Sequence, residues 1–140
     1  MALMEFLKAN IVDTTTMVIA STGTGTFANL YDRNDSLAYA TVGYTTNTST
    51  LVSIEFLGPT VISNLIIKNH NLRQFRAFYN SATASVFSTN INVSSNSATS
   101  GYFLFNSITV NSIQLQMDLA TTTDTERKIG ELIVTERRVQ

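Results

Sequence analysis

Short segments in which apolar and polar residues alternate recur along this chain, and they constrain its fold more than any other feature. The segment LVSIEFLG, residues 51–58, places Val52, Ile54 and Phe56 on one side of an extended chain. This is the pattern of a strand with one buried face. The segment RQFRAFYN, residues 73–80, alternates in the same way. Thr, Val, Ile, Phe and Tyr dominate such segments and good helix formers are sparse, which favours strands.

About eight short strands are predicted, with turn signals between them. They cover residues 16–21, 51–58, 61–69, 73–80, 86–93, 101–108, 112–119 and 129–137. Gly58-Pro59 predicts a break between the second and third strands, and residues 28–40 predict a short helical turn or an ordered loop. The pattern predicts an all-β fold, an antiparallel β-sandwich or a barrel, with residues 1–140 as a single domain.

Composition narrows the classes of partner. The chain has 9 basic and 10 acidic residues and a formal charge of −1, whereas a general nucleic-acid binder needs a basic face. Without cysteine, neither a disulfide nor a thiolate metal site can form. The first residues lack the pattern of a secretion signal, and no apolar run reaches the roughly 18 residues that span a bilayer. We therefore expect neither nucleic acid nor membrane as a partner.

No charged side chain occurs between Ala77 and Met117. Exposed strand edges normally carry some Lys or Glu, which keep the protein soluble and block edge-to-edge pairing. Two explanations are open: neighbouring subunits cover this stretch, or its surface is rich in hydroxyl and amide groups. The first is slightly favoured.

Three blocks, in this order, resemble the discoidin or galactose-binding-like jelly roll, also known as the coagulation factor 5/8 C-type family. They read NLYDRNDSLAYAT, LVSIEFLGPTVISNLIIKNHN and KIGELIVTE, within residues 28–136. The resemblance implies an antiparallel jelly-roll sandwich. The family's tryptophan after the first block is absent, and Tyr39 is expected to fill its place. A strand followed by Asn-His-Asn-Leu and a hairpin is most similar to small modules of bacteriophage virion proteins.

His70 is the only histidine in the chain. Catalysis would require a nucleophile within reach and a third group to orient the ring, and no specific pattern in the sequence supplies them. Zinc is disfavoured because every other ligand would have to be a carboxylate. Flanked by Asn69 and Asn71 at a strand end, His70 is expected to shape a corner. No enzymatic activity is predicted.

The loop sequence DRND offers oxygen ligands for a hard cation. Asp32, Asn34 and Asp35 are closely spaced, and carboxylates combined with backbone carbonyls bind calcium. The family resemblance implies a structural calcium at this loop, closed by Glu131 of the last strand. The alternative is an Asx-rich turn that caps a short helix. No cofactor is required by the sequence.

Basic and aromatic residues are interleaved after the histidine corner. On a strand, Arg76 and Phe78 share one face, while Phe75 and Tyr79 share the other. The expected result is a core face and a polar face with one exposed aromatic. Arg73, Arg76 and Phe78 are accordingly candidates for contact with a ligand or partner. The charges of Arg127 and Lys128 are expected to be solvated.

Two functions remain as hypotheses. The favoured one is a non-enzymatic structural module of a virion, as a decoration, tail or baseplate component, that contacts other virion proteins or its own copies. The alternative is a carbohydrate-binding module for host-surface glycans, in which Tyr31, Tyr39, Tyr44 or Tyr102 stacks on sugar rings.

Overall fold

The computed structural model describes residues 5–7, 11, 17–21, 27–31, 37–40, 50–80, 87, 91–120 and 127–139. Within them the chain is built from antiparallel β-strands and one short 3-10 helix at Phe27–Leu30. The strands are β1 (Glu5–Leu7), β2 (Met17–Ser21), β3 (Tyr39–Ala40), β4 (Thr50–His70), β5 (Leu72–Tyr79), β6 (Asn92–Val93), β7 (Gly101–Ala120), β8 (Lys128–Thr135) and β9 (Arg137–Val139). The all-β prediction is confirmed. Of the two alternatives for residues 28–40, a short helical turn is present at Phe27–Leu30.

The strands form two layers that share β4 and β7. The main sheet has the order β3-β8-β4-β7-β5-β6, with β2 also paired to β4, and β1 pairs separately with β9. The first half of β4 pairs with β2 and the end of β7, whereas its second half pairs with β8 and the start of β7. Each long strand therefore passes from one layer into the other.

One apolar core lies between the layers. Alternate residues of β4, β5, β7 and β8 point into it, because side chains along a strand alternate between its two faces. Among its buried members are Ile54, Phe75, Leu115 and Leu132. The Phe87 ring packs against Phe105 at a centroid distance of 4.3 Å.

The predicted break at Gly58-Pro59 is wrong in one respect, since β4 continues through it. The register with β7 shifts between Glu55 and Thr60, which marks an irregularity in the ladder. Proline lacks a backbone N–H and is confined to edges and bulges in sheets. The Thr60 hydroxyl donates a hydrogen bond of 3.0 Å to the Gly58 carbonyl. A bend in one strand thus replaces the expected gap between two strands, and the same is true of the predicted pair 101–108 and 112–119.

His70 ends β4 at a tight corner before β5. The Leu72 N–H donates to His70 Nδ1 at 3.0 Å, and the His70 N–H donates to the Thr99 carbonyl at 2.8 Å. The ring is buried and meets Phe75 edge-on. Asn69, at φ 49°, supplies the left-handed backbone of the turn. The histidine has the architectural role that the sequence predicts.

The charge-free stretch has an explanation within the fold. β7 lies between β4 and β5, so both of its edges are paired and no charge is needed to block further strands. The polar loop at residues 94–100 is largely exposed and consists mainly of Ser, Asn and Thr. These features favour the hydroxyl- and amide-rich surface over a surface covered by other subunits. In the described part of the chain, no helix is long and apolar enough to cross a bilayer.

Candidate functional site

A polar surface lies outside the layer formed by the first half of β4, β5, β6 and the end of β7. We call it the Arg76 face. Strand register places Leu51, Gln116, Arg76 and Asn92 in one row across four strands. With a spacing of about 4.8 Å between strands, this row is roughly 14 Å long. As defined among the described residues, the face consists of Leu51, Ser53, Arg76, Phe78, Asn92, Gln114, Gln116 and Asp118.

An ion pair forms the centre of this face. Arg76 Nε donates to Asp118 Oδ2 at 3.2 Å, and Arg76 Nη2 donates to Oδ1 at 3.4 Å. The Gln116 amide also donates to Oδ1, at 3.1 Å. The Arg76 side chain is 35% exposed and that of Asp118 10%. The guanidinium is therefore held in place but remains partly open to solvent.

A β-bulge positions the Asp118 side chain. Register passes from Gln74–Leu119 directly to Phe75–Met117, which makes Asp118 the extra residue of a β-bulge. Bulges re-aim side chains and are over-represented near functional sites. In this structure the bulge brings the carboxylate to Arg76.

Arg127, just before β8, holds Asp118 from the interior of the protein. Its side chain is 1% exposed and its Nη2 donates to the Asp118 carbonyl at 2.8 Å. Burial lowers the pKa of Arg127, and the charge of Asp118 acts in the opposite direction. The expectation that this charge is solvated is wrong, because a backbone carbonyl and a nearby carboxylate replace its water. Lys128 is exposed, as expected.

The row next to Arg76 contains Ser53, Gln114 and Phe78. Phe78 is half-buried beside the ion pair on the same face. Gln114 Oε1 is shielded from solvent and has no hydrogen-bond partner in the part of the chain that the structure describes. The face thus combines an aromatic ring, a fixed guanidinium and amide groups.

The other layer is formed by the second half of β4, the start of β7 and β8, and its outer surface has a different character. We call it the Asn64 face, and it carries Asn64, Lys68, Tyr102, Glu131 and Thr135. Asn64 is 0% exposed and its Nδ2 donates to the Thr135 hydroxyl at 3.1 Å. Lys68 lies opposite the buried Glu131 in the ladder. Tyr102 is 51% exposed, so it is the open aromatic of this face.

The five residues predicted as ligand contacts do not form one site. Arg76 and Phe78 share the Arg76 face, whereas β3, which carries Tyr39, is separated from β5 by β8, β4 and β7. Tyr39 is fully buried and stacks on Phe27, so its ring faces are closed to a sugar and that expectation is corrected. Tyr31 is half-buried against the core. Arg73 is exposed at the start of β5.

The predicted calcium site can be located only in part. Asp32, Asn34, Asp35 and the alternative platform Tyr44 lie outside the described residues. Glu131 is buried in β8. Among the residues that the structure describes, no three His, Asp or Glu side chains cluster as a metal site would require. The calcium site stays a prediction.

The cavity enclosed by the described residues lies inside the core. It is lined by Gln114 and by apolar side chains of both layers, and it has a volume of about 10 Å³. A water molecule needs roughly 10–15 Å³ of such space, so a sugar cannot enter.

Solved structures share this fold. No protein-family model and no curated protein matches the chain. The chitosan-binding module 1 of a chitosanase/glucanase from Paenibacillus sp. IK-5 has a TM-score of 0.73 at 6% identity, covering 91% of this chain and 98% of that one. A pectin-binding carbohydrate-binding module has 0.61 at 16%, covering 87% and 91%. The family 32 carbohydrate-binding module of NanJ from Clostridium perfringens, solved with galactose, has 0.65 at 14%, covering 86% and 93%.

These likenesses show that the fold is the galactose-binding-like jelly-roll sandwich that the sequence resembles. They also overturn the favoured functional hypothesis. The similar structures are carbohydrate-binding modules, not virion components, and the charge-free stretch that suggested subunit contacts is explained by the central position of β7. The virion interpretation is therefore wrong.

Proposed function

We propose that this chain is a carbohydrate-binding module and that its Arg76 face contacts the glycan. The fold supports a role in binding, since modules of the same architecture carry names that refer to chitosan, pectin and galactose. Fold alone does not define a function, so the proposal depends on the chemistry of the face.

The observation that carries the proposal is the fixed but partly exposed guanidinium of Arg76. Arginine has five N–H donors, and two of them bond to Asp118. The remaining donors are available to sugar hydroxyl groups. Because Asp118 already holds the side chain, little conformational entropy is lost when a ligand binds.

The neighbouring groups supply the other interactions that a sugar requires. The Phe78 ring offers an apolar surface for the C–H face of a pyranose. The carbonyl oxygen of Gln116 accepts hydrogen bonds, and sugar hydroxyls both donate and accept. The row from Leu51 to Asn92 extends beyond one sugar ring, which suits an oligosaccharide.

A glycan array followed by calorimetry with a glycan that binds tests this proposal. Arg76→Ala is expected to weaken binding at least about tenfold, since a hydrogen bond to a charged group contributes roughly 1.5–3 kcal/mol. Arg73→Ala removes the same side chain from the same strand, away from the ion pair, and is expected to bind like the parent. Phe78→Leu keeps an apolar side chain, removes the ring, and is expected to weaken binding as well.

Circular dichroism and thermal melting establish that each variant is folded. The proposal fails if no glycan binds, or if a bound glycan is held equally well by the parent, Arg76→Ala and Phe78→Leu.

A further inference from the structure

We infer that the Arg76 face selects uncharged glycans over acidic and amino-sugar glycans. This inference rests on the proposed function and deepens it, because it names the class of ligand. Glycans differ strongly in charge: uronates carry carboxylates, amino sugars carry ammonium groups, and most hexoses carry neither. The charges that a ligand can touch on the face decide between these classes.

Among the described residues of the face, the two charges that a ligand can reach neutralise each other. Arg76 and Asp118 form two hydrogen bonds, and Gln116 adds a third to the same carboxylate. Arg127 contributes its charge from beneath Asp118, but its side chain is buried and cannot touch a ligand. The remaining side chains of the face are amides, a hydroxyl, an aromatic ring and an aliphatic group.

A charged group on a glycan therefore meets a like charge whether it approaches Arg76 or Asp118. A uronate that approaches Arg76 comes close to the Asp118 carboxylate, which already occupies the best side of the guanidinium. An ammonium group that approaches Asp118 meets the guanidinium. A neutral hydroxyl can accept from Arg76 and donate to a Gln116 carbonyl without separating the ion pair.

The next charges on these strands lie at a distance from the Arg76–Asp118 pair. Glu55 is the next outward-facing charge along β4, four residues beyond Leu51. At about 3.4 Å per residue it lies roughly 14 Å from the Leu51–Asn92 row that contains Arg76, and about 7 Å from Ser53 at the border of the face; the first distance exceeds the screening length of about 8 Å at physiological salt. Arg73 lies at the start of β5, three residues before Arg76 and roughly 10 Å away along the strand.

The test compares neutral, acidic and amino-sugar glycans on one array, at about 50 and about 500 mM NaCl, since salt screens charge attraction. The parent chain is expected to bind uncharged glycans, with a signal that changes less than about twofold between the two salt concentrations. Arg76→Ala is expected to lose these signals.

Two nearly isosteric variants alter the charge balance in opposite directions. Asp118→Asn leaves the guanidinium without its counter-ion, and it is expected to increase the signal of acidic glycans several-fold at low salt. Gln116→Glu adds a carboxylate to the Arg76 row and is expected to increase the signal of amino-sugar glycans. Either gain in a folded variant supports the assignment, so it does not depend on one variant being stable.

The possible failures are distinguishable. Preferential binding of acidic or amino-sugar glycans by the parent, lost in Arg76→Ala and weakened by salt, would overturn the charge assignment while leaving the glycan-binding face in place. Binding of no glycan, or binding that Arg76→Ala leaves unchanged, would overturn the proposed function and this inference with it.

Discussion

The Arg76 face and the Asn64 face are both formed in part by the long strands β4 and β7, yet their polar side chains differ in solvent exposure. On the Arg76 face the Arg76 guanidinium and the Gln116 side chain are only partly covered. On the Asn64 face Asn64, Thr135 and Glu131 are buried, and Asn64 bonds to Thr135 within the protein. Buried polar groups must be satisfied internally, whereas partly exposed groups can exchange water for a ligand. The comparison indicates that one face stabilises the fold and the other is available for binding.

Matched Asn→Asp substitutions test this difference most strongly. Asn64→Asp places a carboxylate at a fully buried position where Oδ1 has no hydrogen-bond donor in the described structure. We expect a loss of about 3–5 kcal/mol in the free energy of unfolding, as for other uncompensated buried charges. Asn92→Asp, exposed and opposite Arg76, is expected to change it by less than about 0.5 kcal/mol. Chemical denaturation measures the free energy of unfolding of both variants. Equal losses would show that the two faces do not differ in solvent exposure.

Substitution of Gly130 is expected to lower the free energy of unfolding by a smaller amount. A Cβ on Gly130 would lie 2.7 Å from the Asn69 Cβ and 3.1 Å from the Lys68 carbonyl, so the packing of β8 against β4 must shift. We expect Gly130→Ala to destabilise the fold by about 1–3 kcal/mol. Gly58→Ala, where nothing lies within 4 Å, is the control and should melt like the parent. A neutral Gly130→Ala would mean that the layer beneath the Asn64 face is loosely packed.

Titration of His70, at the corner between β4 and β5, is expected to change the free energy of unfolding by a still smaller amount. Burial lowers the pKa of His70 from 6.5, and protonation would also remove the acceptor of the Leu72 N–H. Below pH 6.5 the unfolded chain therefore binds more protons than the folded chain, and the free energy of unfolding falls as pH is lowered. Denaturation at a series of pH values measures this dependence. His70→Gln should flatten the curve in this window, and an unchanged slope would contradict the assignment.

Tyr102 is expected to give the smallest effect. Because its ring is half exposed and lies on the Asn64 face, Tyr102→Ala should cost less than about 1 kcal/mol of stability. Glycan binding by this variant, measured by calorimetry beside Arg76→Ala, should stay within about twofold of the parent. Loss of binding in Tyr102→Ala would move the glycan site to the Asn64 face and reverse the comparison.

Much of the fold follows from local patterns in the sequence. The period of two in 73–80 correctly predicts that Phe75 is buried and that Arg76 and Phe78 share the opposite face. Gly58-Pro59 misleads because a bulge and a chain break have the same local signature. Whether a strand continues depends on its neighbours, here β7, which pairs on both sides of the bend.

The candidate site is less predictable, because it depends on contacts between distant segments. Gln114, Gln116 and Asp118 alternate along SIQLQMDL, so the sequence contains the signal that they share a face. It does not contain the register of β7 on β5, or the bulge that brings Asp118 to Arg76, 42 positions away. Arg127 is expected in solvent because charged side chains usually are. Its burial depends on a hydrogen bond to a backbone carbonyl, and no residue type reveals such an acceptor.

The passage of β4 and β7 from one layer to the other has a mechanical consequence. Two separate sheets could slide or peel apart, but layers joined through continuous backbone cannot separate without breaking ladders on both sides of the bend. Tension applied to a ligand on one surface would accordingly be shared with the opposite layer. Under mechanical load the chain is therefore expected to unfold in one abrupt step.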